Sequence, residues 1–100
     1  MPKTIAMIGA FDTKGEEYAF LRQRLTRRGH NVAAINTGVL GTTELFPVEV
    51  EAAEVAKAGG GELAVLQAKR DRGEAMKAMA AGAAVVAKRL YEAGRFDGII

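Results

Sequence analysis

The chain has 100 residues, of which 49% are hydrophobic and 26% charged, a composition typical of one small globular domain rather than a disordered chain. Its formal net charge of +2 is too small to indicate a nucleic-acid partner. There is no cysteine and His30 is the one histidine, so the composition excludes disulfides, thiolate metal sites and histidine-rich metal sites.

Hydrophobic runs predict the strands of a sheet. Residues 4–9 are apolar on both faces without alternation, which is typical of a parallel strand covered by helices on both sides, and residues 31–36 predict a second strand. Residues 63–66 are a weaker candidate, and their pattern leaves strand, helix and loop open. Residues 96–100 begin another strand. Because its apolar end would leave an exposed sheet edge, we expect the chain to be truncated within a strand, as a fragment of a longer protein.

Three segments predict helices by the same order of residues, at about 15–28, 48–58 and 74–93. Each begins with acidic residues, ends with basic ones and is followed by glycine. That order suits the helix dipole and a left-handed C-terminal cap. Because strands and helices alternate, the sequence predicts an α/β fold: a Rossmann-like parallel sheet with flanking helices.

Two of these helices bear on partners. The first carries four arginines that point in several directions without aromatic stacking partners, so we expect a solvated face and no nucleic acid. The third is rich in small residues, which favours close packing in the core or, as the alternative, a homo-oligomer contact. Its longest apolar stretch, residues 78–87, is half a membrane span. We therefore expect no membrane partner and a cytoplasmic location.

The connection between the first strand and the first helix, residues 9–15, offers the best ligand chemistry. It has a glycine at each end and Asp12, Thr13 and Lys14 between them. Ligands of parallel sheets bind outside the carboxyl ends of the strands, where the helix would also point unpaired N–H groups. We expect a phosphate or carboxylate there. The alternative is a structural loop, with Thr13 and Glu16 forming a capping box. The spacing matches neither a P-loop nor a dinucleotide fingerprint.

A second loop follows the second strand at residues 36–43. It holds two glycines and three threonines. Together they would offer backbone and hydroxyl donors near a ribose or a phosphate. The alternative is a plain irregular connection without a ligand.

A third loop, residues 69–73, precedes the third helix. Asp71 can cap that helix while Arg70 or Arg72 holds an anion with its forked donors. The alternative is a group of surface charges around a helix start.

Four motifs follow one another along the chain. They are Gly-x-x-Asp-Thr-Lys-Gly-Glu-Glu at residues 9–17, Asn-Thr-Gly-Val-Leu-Gly at 36–41, Asp-Arg-Gly at 71–73, and a run from Gly82 to Gly98. Together they resemble the first part of the Tm-1-like, or UPF0261, family. The resemblance implies that residues 1–100 are the N-terminal portion of a Rossmann-like nucleotide-binding domain that binds ATP, followed by a second α/β domain.

The resemblance also implies the pocket residues, which are Asp12, Thr13, Lys14, Thr37, Gly38, Asp71 and Arg72. The family's glycine- and serine-rich phosphate loop would follow Ile100. The second strand ends in Asn36, where relatives often have Asp, which weakens a contact to a ribose hydroxyl. In the family's plant member the same region inhibits a tobamovirus by binding viral replication proteins.

Three functions are therefore considered. The leading hypothesis is binding of ATP above the strand ends, with Lys14 neutralising phosphate and Asp12 holding Mg²⁺ through water. The second is a phosphate-ester hydrolase or phosphoryl-transfer enzyme in which Asp12 or Asp71 orients the nucleophile, although no nucleophile–base pair is evident. The third is a protein-interaction module with a structural nucleotide, as the plant relative suggests.

Overall fold

The computed structural model describes residues 3–69 and 71–100. Its elements in chain order are β1 (Thr4–Gly9), α1 (Phe11–Arg27), β2 (Asn31–Asn36), α2 (Ala52–Ala58), α3 (Leu63–Lys69), α4 (Arg72–Glu92) and β3 (Gly98–Ile99). No helix among the described residues has the length and apolar character needed to cross a bilayer.

The strands form a parallel sheet in the order β2-β1-β3. β1 pairs with β2 along its whole length, from Thr4 opposite Asn31 to Gly9 opposite Asn36. β3 pairs with the other side of β1, with Gly98 opposite Ile5. The predicted α/β class and Rossmann-like parallel sheet are confirmed, and the two strands predicted at residues 4–9 and 31–36 have the predicted bounds.

Helices cover both faces of the sheet, which explains the continuous hydrophobic runs. Neighbouring residues of a strand point to opposite faces, and Ala6 and Met7 are nevertheless both fully buried. Met7 packs on the α1 side with Phe11, Ala34 and Phe46. The other face carries the larger cluster, contributed mainly by α2 and α4, with Ile35 from β2. A strand buried on both faces carries apolar residues at successive positions, so its sequence does not alternate between apolar and polar residues.

The segment before α2 is extended where the sequence predicts helix. The predicted helix from residue 48 begins only at Ala52. Before it, the N–H groups of Glu49 and Val50 both donate to the carbonyl of Ala34, and Val50 bridges Ile35 of β2. The acidic residues that suggested a helix start therefore lie beside the sheet, where pairing with β2 replaces helical hydrogen bonds. At residues 63–66 the structure forms the first turn of α3, one of the alternatives left open by the sequence.

The small residues of α4 serve close packing against α2. A Cβ at Gly82 would lie 1.8 Å from the carbonyl oxygen of Val55, and one at Gly59 would lie 2.3 Å from that of Ala78. Ala75 and Met79 are buried along the same side of the helix. Core packing therefore accounts for this face of α4, whereas a homo-oligomer contact through the helix stays a prediction.

Candidate functional site

The candidate site lies at the carboxyl ends of β1 and β2, where α1 begins and the loop of residues 37–43 (the 37–43 loop) starts. Gly9 and Asn36 end the two strands side by side. The N–H of Thr37 donates to the carbonyl of Gly9 at 2.8 Å, so the loop leaves the sheet close to the start of α1. This is the edge at which ligands of parallel α/β sheets bind.

Asn36 joins the segments around this edge. Its side chain is fully buried. The Oδ1 atom accepts from the N–H of Phe11 at 3.1 Å and from that of Gly38 at 2.8 Å. The Nδ2 group donates to the carbonyl of Gly41 at 2.9 Å and to Glu51 Oε1 at 3.2 Å. Two acceptor and two donor positions are all that an asparagine amide has, so its hydrogen-bonding capacity is fully used.

Glu51 extends this network to the far end of the loop. It is the last residue before α2, and its carboxylate oxygens accept from the Thr42 hydroxyl at 2.9 and 2.8 Å. The 37–43 loop is therefore fixed near its beginning by Gly38 and near its end by Thr42.

Asp12 holds the middle of the same loop. Its Oδ1 accepts from the N–H of Thr13 at 2.8 Å, and its Oδ2 accepts from the N–H of Leu40 at 3.0 Å. A Cβ at Gly38 would lie 2.2 Å from Asp12 Oδ1, so the absence of a side chain at Gly38 lets the carboxylate approach the loop. Two residues predicted for the site from different loops are thus brought into contact, together with Thr13.

The start of α1 differs from the prediction. The helix begins with a turn at Phe11, before the predicted start, and the non-helical conformation of Lys14 (φ −117°, ψ 21°) separates that turn from the part that runs on from Gly15, as predicted. The residue before the helix is Ala10, which offers no side-chain cap, and within the described residues no hydrogen bond joins Thr13 to Glu16 as a capping box would. The expected supply of unpaired N–H groups is also reduced, because Asn36 and Asp12 occupy those of Phe11 and Thr13.

The side chains of Thr13 and Lys14 are exposed to solvent here, as are those of Glu16 and Glu17 just after them. Among residues 3–69 and 71–100, the ion pairs are Lys69–Glu74 and Arg95–Glu49, so Lys14 keeps its charge available. Gly15 lies against the 37–43 loop, and a Cβ there would be 3.1 Å from Thr43 Oγ1. An exposed ammonium at a bend next to a fixed loop can bind an anion.

The third predicted loop has a structural role. Asp71 caps α4, with its Oδ1 accepting from the N–H of Glu74 at 3.0 Å. Arg72 is the exposed first residue of that helix, and Arg70 lies outside the described residues. In the described part of the chain, neither Asp71 nor Arg72 shares a hydrogen bond with the residues around Asp12. The structure therefore does not join this loop to the first two.

α3 approaches the 37–43 loop directly, since Gln67 Nε2 donates to the carbonyl of Val39.

Two surface cavities lie away from the candidate site. One, of about 420 Å³, lies between α4 and β3, and the other, of about 300 Å³, lies along α1. In the second, the Arg24 guanidinium lies 5.7 Å from the centre of the Phe20 ring, so the expectation that the α1 arginines have no aromatic partner is wrong for Arg24.

Residues 3–100 match the model of the UPF0261 family's N-terminal domain, a family described as uncharacterised. A UPF0261 protein of Clostridium tetani is 39% identical over 100 residues, which is 100% of this chain and 24% of the relative. A UPF0261 protein of Mesorhizobium japonicum is 36% identical over 98 residues, or 97% of this chain and 24% of the relative. One from Brucella suis is 31% identical over 96 residues, 23% of its length. The chain thus spans about a quarter of these relatives. No solved structure matches it.

Proposed function

The chain belongs to the UPF0261 family, and from that premise we propose that it binds a purine nucleotide, ATP, above the ends of β1 and β2. The observation that carries the proposal is the packing of the 37–43 loop on the start of α1, beside an exposed Lys14. This arrangement stands where parallel α/β sheets bind their ligands. The resemblance of the motifs to Tm-1-like proteins supplies the choice of ATP.

In this proposal Lys14 neutralises the phosphates and the exposed Thr13 hydroxyl donates to a phosphate oxygen. Thr37, half-buried at the start of the loop, faces the ribose or the α-phosphate. Arg72 would contribute a second positive charge only by reaching the triphosphate from the exposed start of α4, a loop that the described hydrogen bonds do not join to Asp12; Asp71 holds that helix terminus in place. A backbone-lined loop and a few charged groups are the usual means by which proteins hold triphosphates.

Asp12 makes the binding dependent on Mg²⁺. Its carboxylate lies at the start of α1 and would repel a phosphate placed next to Lys14. Mg²⁺ keeps several waters and is commonly bound by one or two carboxylates together with phosphate oxygens. Asp12 can serve as such a carboxylate, through water, while it keeps the N–H groups of Thr13 and Leu40 in place.

The test is calorimetric titration of Mg-ATP into the full-length protein and its Lys14→Ala variant. Loss of a charge-assisted hydrogen bond is expected to weaken binding by roughly 10-fold. Lys57→Ala is the matched control, because Lys57 is an exposed lysine in the last turn of α2, whose first turn is the one near the site. No heat with either protein would refute nucleotide binding, and equal weakening by both substitutions would refute the placement at Lys14.

The second candidate is an interaction module in which the nucleotide serves only to hold the fold. Leu40 and Leu45, with 75% and 59% of their surfaces exposed, favour it because both lie on the connection that borders the site. A nucleotide that raises the melting temperature without being consumed would support this function. Turnover abolished by Asp12→Ala would instead support a phosphate-ester hydrolase or phosphoryl-transfer enzyme. The cytoplasmic location expected from the sequence stays a prediction.

A further inference from the structure

Asn36 is the one polar side chain that is fully buried within the described ranges, and it lies directly below the proposed nucleotide site. Burying an amide is unfavourable unless its donors and acceptors are paired. Here all four are paired, and each partner belongs to the rim of the site.

The four hydrogen bonds connect parts of the chain that are distant in sequence. The bond to Phe11 spans 25 residues and reaches the start of α1, and the bond to Glu51 spans 15 and reaches the start of α2. The remaining two bonds fix Gly38 and Gly41 of the 37–43 loop. One side chain therefore sets the position of the loop relative to the helix whose bend carries Lys14.

This arrangement requires an amide. Aspartate has the same shape and could still accept from the N–H groups of Phe11 and Gly38. It could not donate to the carbonyl of Gly41, and it would set a second carboxylate 3.2 Å from that of Glu51. A hydrocarbon side chain would leave the same N–H groups buried without partners.

We propose that Asn36 is a positioning residue that holds the 37–43 loop against the start of α1 and so keeps the nucleotide site in its binding-competent shape. The inference rests on the proposed function for its ligand. Without these bonds the loop samples other conformations, and the apparent affinity falls in proportion to the population that remains competent. Asn36 touches no ligand in this role.

The experiment compares three variants of the full-length protein with the wild type. Asn36→Asp removes the two donors. Asn36→Asp combined with Glu51→Gln restores the bond between the two side chains with donor and acceptor exchanged, and the new amide can still accept from Thr42. Asn31→Asp is the matched control, because it makes the same substitution at the exposed opposite end of β2.

Two measurements are made on each protein. Hydrogen exchange of peptides covering residues 37–45 reports the loop, with peptides of α4 as the reference for an intact fold. Calorimetry with Mg-ATP reports the site. Asn36→Asp is expected to speed exchange in the loop and to weaken Mg-ATP binding, each by at least about 10-fold, because it loses two buried hydrogen bonds and sets two carboxylates side by side. The double variant is expected to recover only part of both effects, because the Gly41 carbonyl still has no donor, and Asn31→Asp to show neither.

The outcomes separate the two proposals. Unchanged exchange in the loop of Asn36→Asp would overturn the positioning role. Faster exchange with unchanged affinity would overturn the link to the site and leave nucleotide binding intact. If the wild type binds no Mg-ATP, the proposed function fails, and the exchange data alone decide whether Asn36 positions the loop.

Discussion

A methyl group added at Gly82 would meet the backbone of α2. The ideal Cβ lies 1.8 Å from the Val55 carbonyl oxygen, 2.8 Å from its carbonyl carbon and 3.1 Å from the Gly59 nitrogen. These are backbone atoms, which cannot move aside by a change of rotamer. Since an ordinary contact needs roughly 3.4 Å, α2 and α4 would have to separate by about 1.5 Å, which loosens the packing between buried helices.

The expected change in the free energy of unfolding is the difference between two opposing effects. Overpacking of this severity costs about 3 kcal/mol, at the upper end of its usual range. Alanine is about 1 kcal/mol better than glycine inside a helix. We therefore expect Gly82→Ala to lower the free energy of unfolding by about 2 kcal/mol, which corresponds to a fall in melting temperature of roughly 8–16 °C for a domain of this size.

Urea unfolding followed by circular dichroism measures the change. Gly73→Ala is the control on the same helix, because its Cβ would meet its nearest neighbour, Asp71 Oδ1, at an ordinary 3.5 Å. We expect that substitution to be neutral or slightly stabilising through helix propensity. A Gly82→Ala variant as stable as the wild type would refute the close approach of α2 and α4.

Three further predictions concern the start of α4, the end of β1 and the ligand. Asp71→Ala should lower the free energy of unfolding by about 1 kcal/mol through loss of the cap to Glu74, and it should do so without nucleotide present. Gly9→Ala should destabilise the fold more than Tyr18→Phe, and thermal melts compare the two. The added Cβ would lie 2.1 Å from the Tyr18 ring, whereas Tyr18→Phe removes only the 3.3 Å hydrogen bond from the phenol to the carbonyl of Ile8. ATP without Mg²⁺ should bind at least about 10-fold more weakly than Mg-ATP, and Asp12→Asn should reduce that difference; equal metal dependence in both proteins would contradict the role of Asp12.

The sequence itself determined the architecture around the site. Positions 5–8 and 32–35 of the two predicted strands are all apolar, so both faces of these strands had to be covered. Because such strands alternate with helices and the connections are short, the strands form a parallel sheet. Asp71 was recognisable as a cap because a cap depends only on the residues next to it. For Asp12 and Gly38, the sequence predicts only that their loops lie at the same edge of the sheet, and not that the two residues touch.

Only the tertiary structure decided how those loops are held. The sequence indicates only a weakened ribose contact at Asn36, because its partners Phe11 and Glu51 are 25 and 15 residues away and no local pattern identifies them. The same reason explains the late start of α2, where pairing of residues 49–50 with β2 outweighs local helix signals. Local propensities contribute fractions of a kcal/mol per residue to stability, whereas each buried hydrogen bond or packed side chain contributes about 1 kcal/mol or more. Contacts between distant residues therefore set the shape of the site, and the sequence alone indicates only which edge of the sheet it occupies.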